Sequence, residues 1–412
     1  MSVSTPAPFR PEPGNRASAP HAGAGRGHLS HRLRALAPSP TMATSARAKA
    51  LAQQGARVLD LTLGEPDFDT PVHIKAAAER AIRDGRTKYT PAGGVPELRA
   101  AVCAKFAREN GVEYEPSETV ICVGGKQVLY NVMLAICDPG DEVLVPVPNW
   151  PTFADQVGLA DGRPVLVPLP PDKKLRAADL EPYLTARTRA IILNSPSNPT
   201  GAVMRPEDVR AVTELAVERG VYLVSDETYE HFLYSGARHV APASLGPEAR
   251  ALTIEVNTVS KTYAMTGWRI GYAAGPQDVI KAIDTLMTQT TSNACSIAQW
   301  AAVEALTGPQ DCVREMVAEF ARRRELLIGG LRRLGYGCEW PEGAFYAYPR
   351  IPAAADGGPG DSAAFATRLL EDKHVAVVAG SGFFDEGHVR VSYAASTAVL
   401  EEVLERLQTL AT

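Results

Sequence analysis

Residues Glu207–Tyr229, EDVRAVTELAVERGVYLVSDETY, decide the fold class. Across Glu207–Arg219 the apolar residues recur at helical spacing, and Gly220 stands where a helix stop is expected. Tyr222–Ser225 is then a short apolar run without the alternation of a half-exposed strand. Such a run is expected where helices cover both faces of a mostly parallel sheet. The same buried-strand signature recurs outward at Thr119–Val123, Glu142–Pro146, Ala190–Leu193 and Leu252–Val256. Helical patterns alternating with buried strands predict an α/β chain with a central sheet flanked by helices. No stretch repeats at a fixed period, which argues against a solenoid or propeller.

The bulk properties are those of an ordinary globular protein: 412 residues, 45% apolar and 22% charged. That length suits two domains. TGPQD at Thr307–Asp311 breaks the pattern, and the helix-like stretch Val313–Leu334 opens a C-terminal segment. Its run Arg322, Arg323, Arg324 reads as a solvated helix face. A net charge of -5, with no basic run interleaved with aromatics, speaks against a nucleic-acid partner. The six cysteines are scattered and read as reduced thiols, and the eight histidines show no ligand spacing, so no metal is expected. No apolar run approaches the roughly 20 residues needed to cross a bilayer, and no secretory core is present, so a cytoplasmic protein without membrane contact is expected. Residues 1 to about 31 are rich in Pro, Ala, Gly and Ser, with Glu12 as their only acid, and are expected to form a disordered extension.

Chemistry gathers where strands end. Asp226 closes an apolar strand, at the end where open α/β sheets bind ligands. A buried carboxylate there needs a cationic partner, and a protonated pyridine nitrogen is one; a helix cap or an ion-paired Asp is the alternative. Thr258–Arg269, TVSKTYAMTGWR, places hydroxyls, Lys261 and an arginine in one loop after another apolar strand. Alone, Lys261 reads as a surface lysine, because an amine with a pKa of about 10.4 is a poor nucleophile while protonated. In Ile192–Gly201, ILNSPSNPTG, the prolines fix the backbone either to present the Asn198 amide into a cleft or simply to build a turn. Gly124–Gln127, GGKQ, follows a strand and opens a helix, so its N–H groups suit a phosphate, although the P-loop spacing is absent.

Taken in order, LGEPDF (Leu63–Phe68), KYTPAGG (Lys88–Gly94), GGKQ, NSPSNPTG, SDETYEH (Ser225–His231), SKTYAMTGWRIGY (Ser260–Tyr272) and VRVSY (Val389–Tyr393) resemble a class I aminotransferase of pyridoxal-phosphate fold type I. The wording of GGKQ and AMTGWRIGY is most similar to the bacterial aspartate and prephenate aminotransferase branch. The resemblance covers roughly residues 32 to 412. It implies a large cofactor-binding domain over residues 75–310 and a small α+β domain made from both chain ends, 32–74 and 311–412, behind the extension 1–31. It implies pyridoxal 5'-phosphate as cofactor, an amino acid and a 2-oxo acid as substrates, and a homodimer.

By the same resemblance Lys261 is the Schiff-base lysine and proton shuttle, and Asp226 the partner of the pyridine nitrogen. Tyr229 and Asn198 donate to the cofactor's phenolic oxygen, and Trp150 stacks on the ring. Gly125, Lys126, Thr258 and Arg269 hold the phosphate, with Tyr89 reaching across from a second subunit. Arg390 grips the substrate α-carboxylate beside the Gly64 backbone, while Lys126 points toward a second carboxylate and so suggests an acidic donor. Ser39 and Thr41 resemble residues that close over the substrate. Two departures, Asn149 in PNWPTF and Asn293 in QTTSNAC, keep open a lyase or carbon–carbon bond-forming enzyme on the same fold.

Overall fold

The computed structural model describes residues 30–36, 40–353 and 360–408; Ser39, the side chain of Thr41 and most of the expected extension lie outside them. The chain divides into Met1–Ala37 and Pro38–Thr412. The first unit holds a short helix, His31–Ala35. All that follows concerns the second.

Twelve strands are present among the described residues: β1 Leu59–Asp60, β2 Thr119–Val123, β3 Glu142–Val147, β4 Arg163–Pro168, β5 Thr188–Asn194, β6 Tyr222–Asp226, β7 Thr253–Thr258, β8 Ile270–Ala274, β9 Tyr346–Ala347, β10 Val375–Ala376, β11 Val378–Ala379 and β12 Val389–Ser392. Seven of them form one sheet in the order β2-β8-β7-β6-β5-β3-β4. β3 to β7 run parallel, and β8 is antiparallel to both of its neighbours. β3 and β7 are buried along their whole length, which is why their sequences do not alternate. A parallel return from β7 would need a crossover of about a dozen residues or more. β7 instead reaches β8 through the compact loop Val259–Arg269, and that loop holds Lys261.

Register brings the strand ends together. Asn194 pairs with Asp226 across β5 and β6, and Asp226 with Val256 across β6 and β7. At the sheet's other side Val123 pairs with Ile270, so the turn at Gly124 lies against Arg269. The remaining strands make two small sheets: β1 with β10, which joins distant parts of the chain, and β11-β12-β9, which comes from the C-terminal part alone. β12 carries Arg390 and is paired to β9 by Ser392 opposite Tyr346.

The arginine run is not a solvated face. On the helix Asp311–Arg333, Arg322 is exposed, but Arg323 and Arg324 are buried. Arg323 donates to Asp67 Oδ1 at 2.6 Å and Glu319 Oε1 at 2.9 Å and lies over Phe68 and Phe320. Arg324 donates to the Pro341 carbonyl at 2.6 Å and lies over Tyr234 and Trp340. Loops far away in sequence supply acceptors and aromatic faces, so the charges are buried with partners.

Candidate active site

Lys261 sits in the single helical turn Val259–Thr262 that Thr258 caps by accepting the Ser260 N–H at 3.1 Å. Its Nζ donates to the Gly64 carbonyl at 2.6 Å. Loss of hydration lowers the pKa of this amine to about 8; Glu65 opposes the shift, while Arg269 and Arg390 add to it. Gly64 is required on steric grounds, since a Cβ there would stand 2.6 Å from the Tyr346 hydroxyl. Asp226, only 6% exposed, accepts the Thr228 N–H at 3.1 Å, and burial raises its pKa to about 6. The sheet end therefore pairs a lysine inclined to lose its proton with a carboxylate short of a cation.

An anion cradle flanks this pair. Gly124 adopts φ +80°, and the Arg269 guanidinium packs where its Cβ would be. Arg269 itself stands at φ +59° and donates to the Thr266 carbonyl at 2.7 Å. The helix Gly125–Ile136 begins without a side-chain cap, so the amides of its first turn and its dipole suit a phosphate. Gly271 in β8 is likewise fixed by the close approach of the Gly124–Gly125 backbone. The Thr258 hydroxyl donates to the Ile270 carbonyl at 2.7 Å and meets Ser260 Oγ at 2.7 Å, so its one proton is already engaged. Ser260, which sequence reasoning did not single out, thus shares the place expected for Thr258 alone.

Trp150 follows Asn149 after β3 and packs edge-on against Phe153, with ring centroids 5.6 Å apart. The exposed Lys126 places its ammonium 4.7 Å from the Trp150 ring. Loss of hydration and then Arg269 lower the pKa of this lysine. The Asn293 segment adjoins the same turn, because Gln127 Nε2 donates to Thr291 Oγ1 at 3.1 Å.

Arg390, 3% exposed, donates from Nη2 to the Thr62 carbonyl at 2.5 Å and from Nη1 to Asn198 Oδ1 at 3.0 Å. Its guanidinium lies 4.6 Å from the Tyr346 ring centre, and its buried Nε has no hydrogen-bond partner. An unpaired donor on a buried cation is costly unless an anion meets it. Tyr229 Oη lies 2.7 Å from Tyr346 Oη, and burial followed by that neighbour holds its proton far more firmly than usual. Arg390 and Asn198 are thus brought together, and Tyr346 joins Tyr229, Gly64 and Arg390. Tyr89 stands apart from them, 89% exposed in the single chain. Tyr346 and Glu65 were missed by sequence reasoning; Glu65 was visible inside LGEPDF, where its Oε2 accepts from the Thr266 hydroxyl at 2.7 Å.

The donor set fits pyridoxal 5'-phosphate on this geometry: a lysine of lowered pKa, a desolvated carboxylate, and a glycine turn filled by a guanidinium. Residues 56–407 match the family model described as aminotransferase class I and II. The chain is 46% identical over 383 residues to an aspartate aminotransferase of Geobacillus stearothermophilus, covering 92% of this chain and 98% of the relative. It is 46% identical over 390 residues to an aspartate/prephenate aminotransferase of Cereibacter sphaeroides, covering 92% and 98%. Among solved structures, the aspartate aminotransferase of Rhizobium meliloti superposes with a TM-score of 0.89 at 44% identity over 93% of this chain and 99% of that one. The Thermus thermophilus aspartate aminotransferase solved with maleate gives 0.88 at 46% identity over 93% and 100%.

Proposed function

The chain belongs to the class I and II aminotransferases and is a pyridoxal-phosphate-dependent enzyme, and from that premise we propose that it moves amino groups from an acidic L-amino acid to a 2-oxo acid through Lys261, Asp226 and Arg390. The observation that carries this reading is the meeting, at one end of one sheet, of the Lys261 amine, the Asp226 carboxylate and the unpaired Nε of Arg390.

When bound, the cofactor ring supplies an electron sink for charge developing at the donor's Cα. Lys261 Nζ holds the cofactor and carries the proton removed from Cα, a task suited to an amine whose pKa lies near 8. Asp226 keeps a proton on the ring nitrogen. Tyr229, whose hydroxyl proton is tightly held, donates to the phenolic oxygen together with Asn198. The Gly125 and Lys126 amides, Ser260 and Arg269 would bind the phosphate, with Thr258 holding Ser260 in place, and Trp150 would cover the ring face. Arg390 turns its Nε to the donor's α-carboxylate, with Asn198 and Thr62 fixing the guanidinium plane. The 89% exposure of Tyr89 supports a homodimer in which that side chain reaches the partner's phosphate. The pairing of β1 with β10 joins both ends of the second unit and supports the expected small lobe, made from the segment before residue 75 and the segment after residue 310, beside a large lobe of 75–310.

Incubating the holoenzyme with single amino acids and 2-oxoglutarate should yield glutamate, with aspartate the best donor. No glutamate from any donor, alongside other products, would favour elimination or condensation instead. The acidic preference rests on Lys126 beside Trp150, and maleate, found with the Thermus thermophilus relative, is itself a dicarboxylate. The Lys126→Ala substitution should raise KM for aspartate by about tenfold, the loss expected for one hydrogen bond to a charged group. KM for an uncharged donor should stay the same; an equal rise for both would remove Lys126 from the role.

A further inference from the structure

β12 delivers Arg390, but the loop before it is held from elsewhere. After β4 the chain turns through Pro170–Lys173, with Lys173 N–H on the Pro170 carbonyl at 2.8 Å and φ +58° at Lys173. The two lysines that follow one another here hold different loops. Lys173 Nζ lies 3.0 Å from Asp385 Oδ2, with both side chains about four-fifths buried, whereas Lys174 Nζ lies 2.6 Å from Glu342 Oε2. His388 Nδ1 lies 3.2 Å from the same Asp385 oxygen.

Asp385 belongs to the loop that joins the short helical turn Gly380–Phe383 to β12. Phe383 touches both halves of the site. Its ring lies 5.2 Å from the Arg390 guanidinium, and its carbonyl accepts the Asn149 N–H at 3.3 Å. Asn149 Oδ1 in turn accepts the Trp150 N–H at 2.8 Å. We propose that Lys173 is a positioning residue: its pair with Asp385 fixes the 380–388 loop, and that loop sets the distance between the carboxylate grip of Arg390 and the stacking face of Trp150.

The inference rests on Arg390 as the carboxylate grip of an aminotransferase. A misplacement of about 1 Å at a binding group is enough to cost substantial binding or rate. Removing Lys173 leaves the largely buried Asp385 carboxylate to His388, which lies in its own loop, and takes away the contact that ties that loop to the Pro170–Lys173 turn, so the loop should shift.

The test is steady-state kinetics of the holoenzyme with aspartate and 2-oxoglutarate. Lys173→Met should raise both KM values by about tenfold, with kcat changed by less than about threefold, because the bonds being made and broken are remote from the altered pair. The absorption spectrum of the bound cofactor should not change, and Lys173→Arg should restore most of the loss. The near-isosteric Asp385→Asn should repeat the KM rise, and the double variant should be no worse than either single one. Lys174→Met, which breaks the neighbouring pair to a different loop, should leave both KM values alone. Unchanged KM in Asp385→Asn, additive single effects, or an equal rise in Lys174→Met would overturn the proposal. A wild-type enzyme that makes no glutamate would instead overturn the reading on which it rests.

Discussion

Replacing Lys261 with alanine is expected to lower glutamate formation by about 10⁴-fold, the upper end for loss of a positioned proton-transfer group, because the same side chain also holds the cofactor. Its Nζ bonds a backbone carbonyl, that of Gly64, so the truncation breaks no direct ion pair, and the fold should survive. Lys261→Arg should not rescue activity, since a guanidinium stays charged at any accessible pH. Only the neutral amine attacks an aldehyde. Cofactor-free wild-type enzyme should therefore capture pyridoxal phosphate faster as pH rises through about 8 and level off above it. Borohydride reduction should then leave the cofactor on the peptide containing Lys261. A variant that keeps activity within about tenfold of the wild type would lack the loss expected of a general acid–base group, and a label on another lysine would displace Lys261 from the mechanism altogether.

Asp226, Thr258 and Asn198 were legible in the sequence because their signals are local. Each stands at or just beyond the end of an apolar run, where a strand must stop and a turn must begin. The parallel core of the sheet was legible for the same reason, since unbroken apolar runs mark strands covered on both faces. Tyr346 was not legible. It is one of 13 tyrosines, and its partner Tyr229 lies 117 positions away, so nothing near it announces the contact. Arg323 and Arg324 were misread because a run of arginines has no local sign of burial; Asp67 and the Pro341 carbonyl, which absorb their charge, come from other loops. Thr258 shows a further limit. Its place at the strand end follows from pattern, but the engagement of its hydroxyl with the Ile270 carbonyl depends on how β8 returns beside β7.

The Asp226→Asn substitution should separate activity from stability in opposite directions. Asparagine keeps an oxygen for the Thr228 N–H that Oδ1 now accepts at 3.1 Å, so the strand end should remain in place. It offers no negative charge to the ring nitrogen, and kcat/KM for the donor should fall by about 10³-fold, as when a preorganised electrostatic partner is removed. The cofactor-free chain should respond otherwise. Burial raises the Asp226 pKa to about 6, against about 3.9 in an unfolded chain, so the folded state binds this proton more tightly than the unfolded state does. The carboxyl's contribution to stability is then present below about pH 4, is lost as pH rises through about 6, and stays lost above it. Up to about 3 kcal/mol of destabilisation follows at neutral pH, which the uncharged asparagine avoids. Denaturant unfolding of the two cofactor-free proteins should show the variant more stable at pH 7 and the difference gone near pH 4. Adding pyridoxal phosphate should reverse the order at pH 7, because the cofactor's cationic nitrogen rewards the carboxylate that the empty pocket penalises. Equal stability of the two cofactor-free proteins at both pH values would mean that Asp226 is not desolvated. Full activity in the variant would mean that it does not partner the ring.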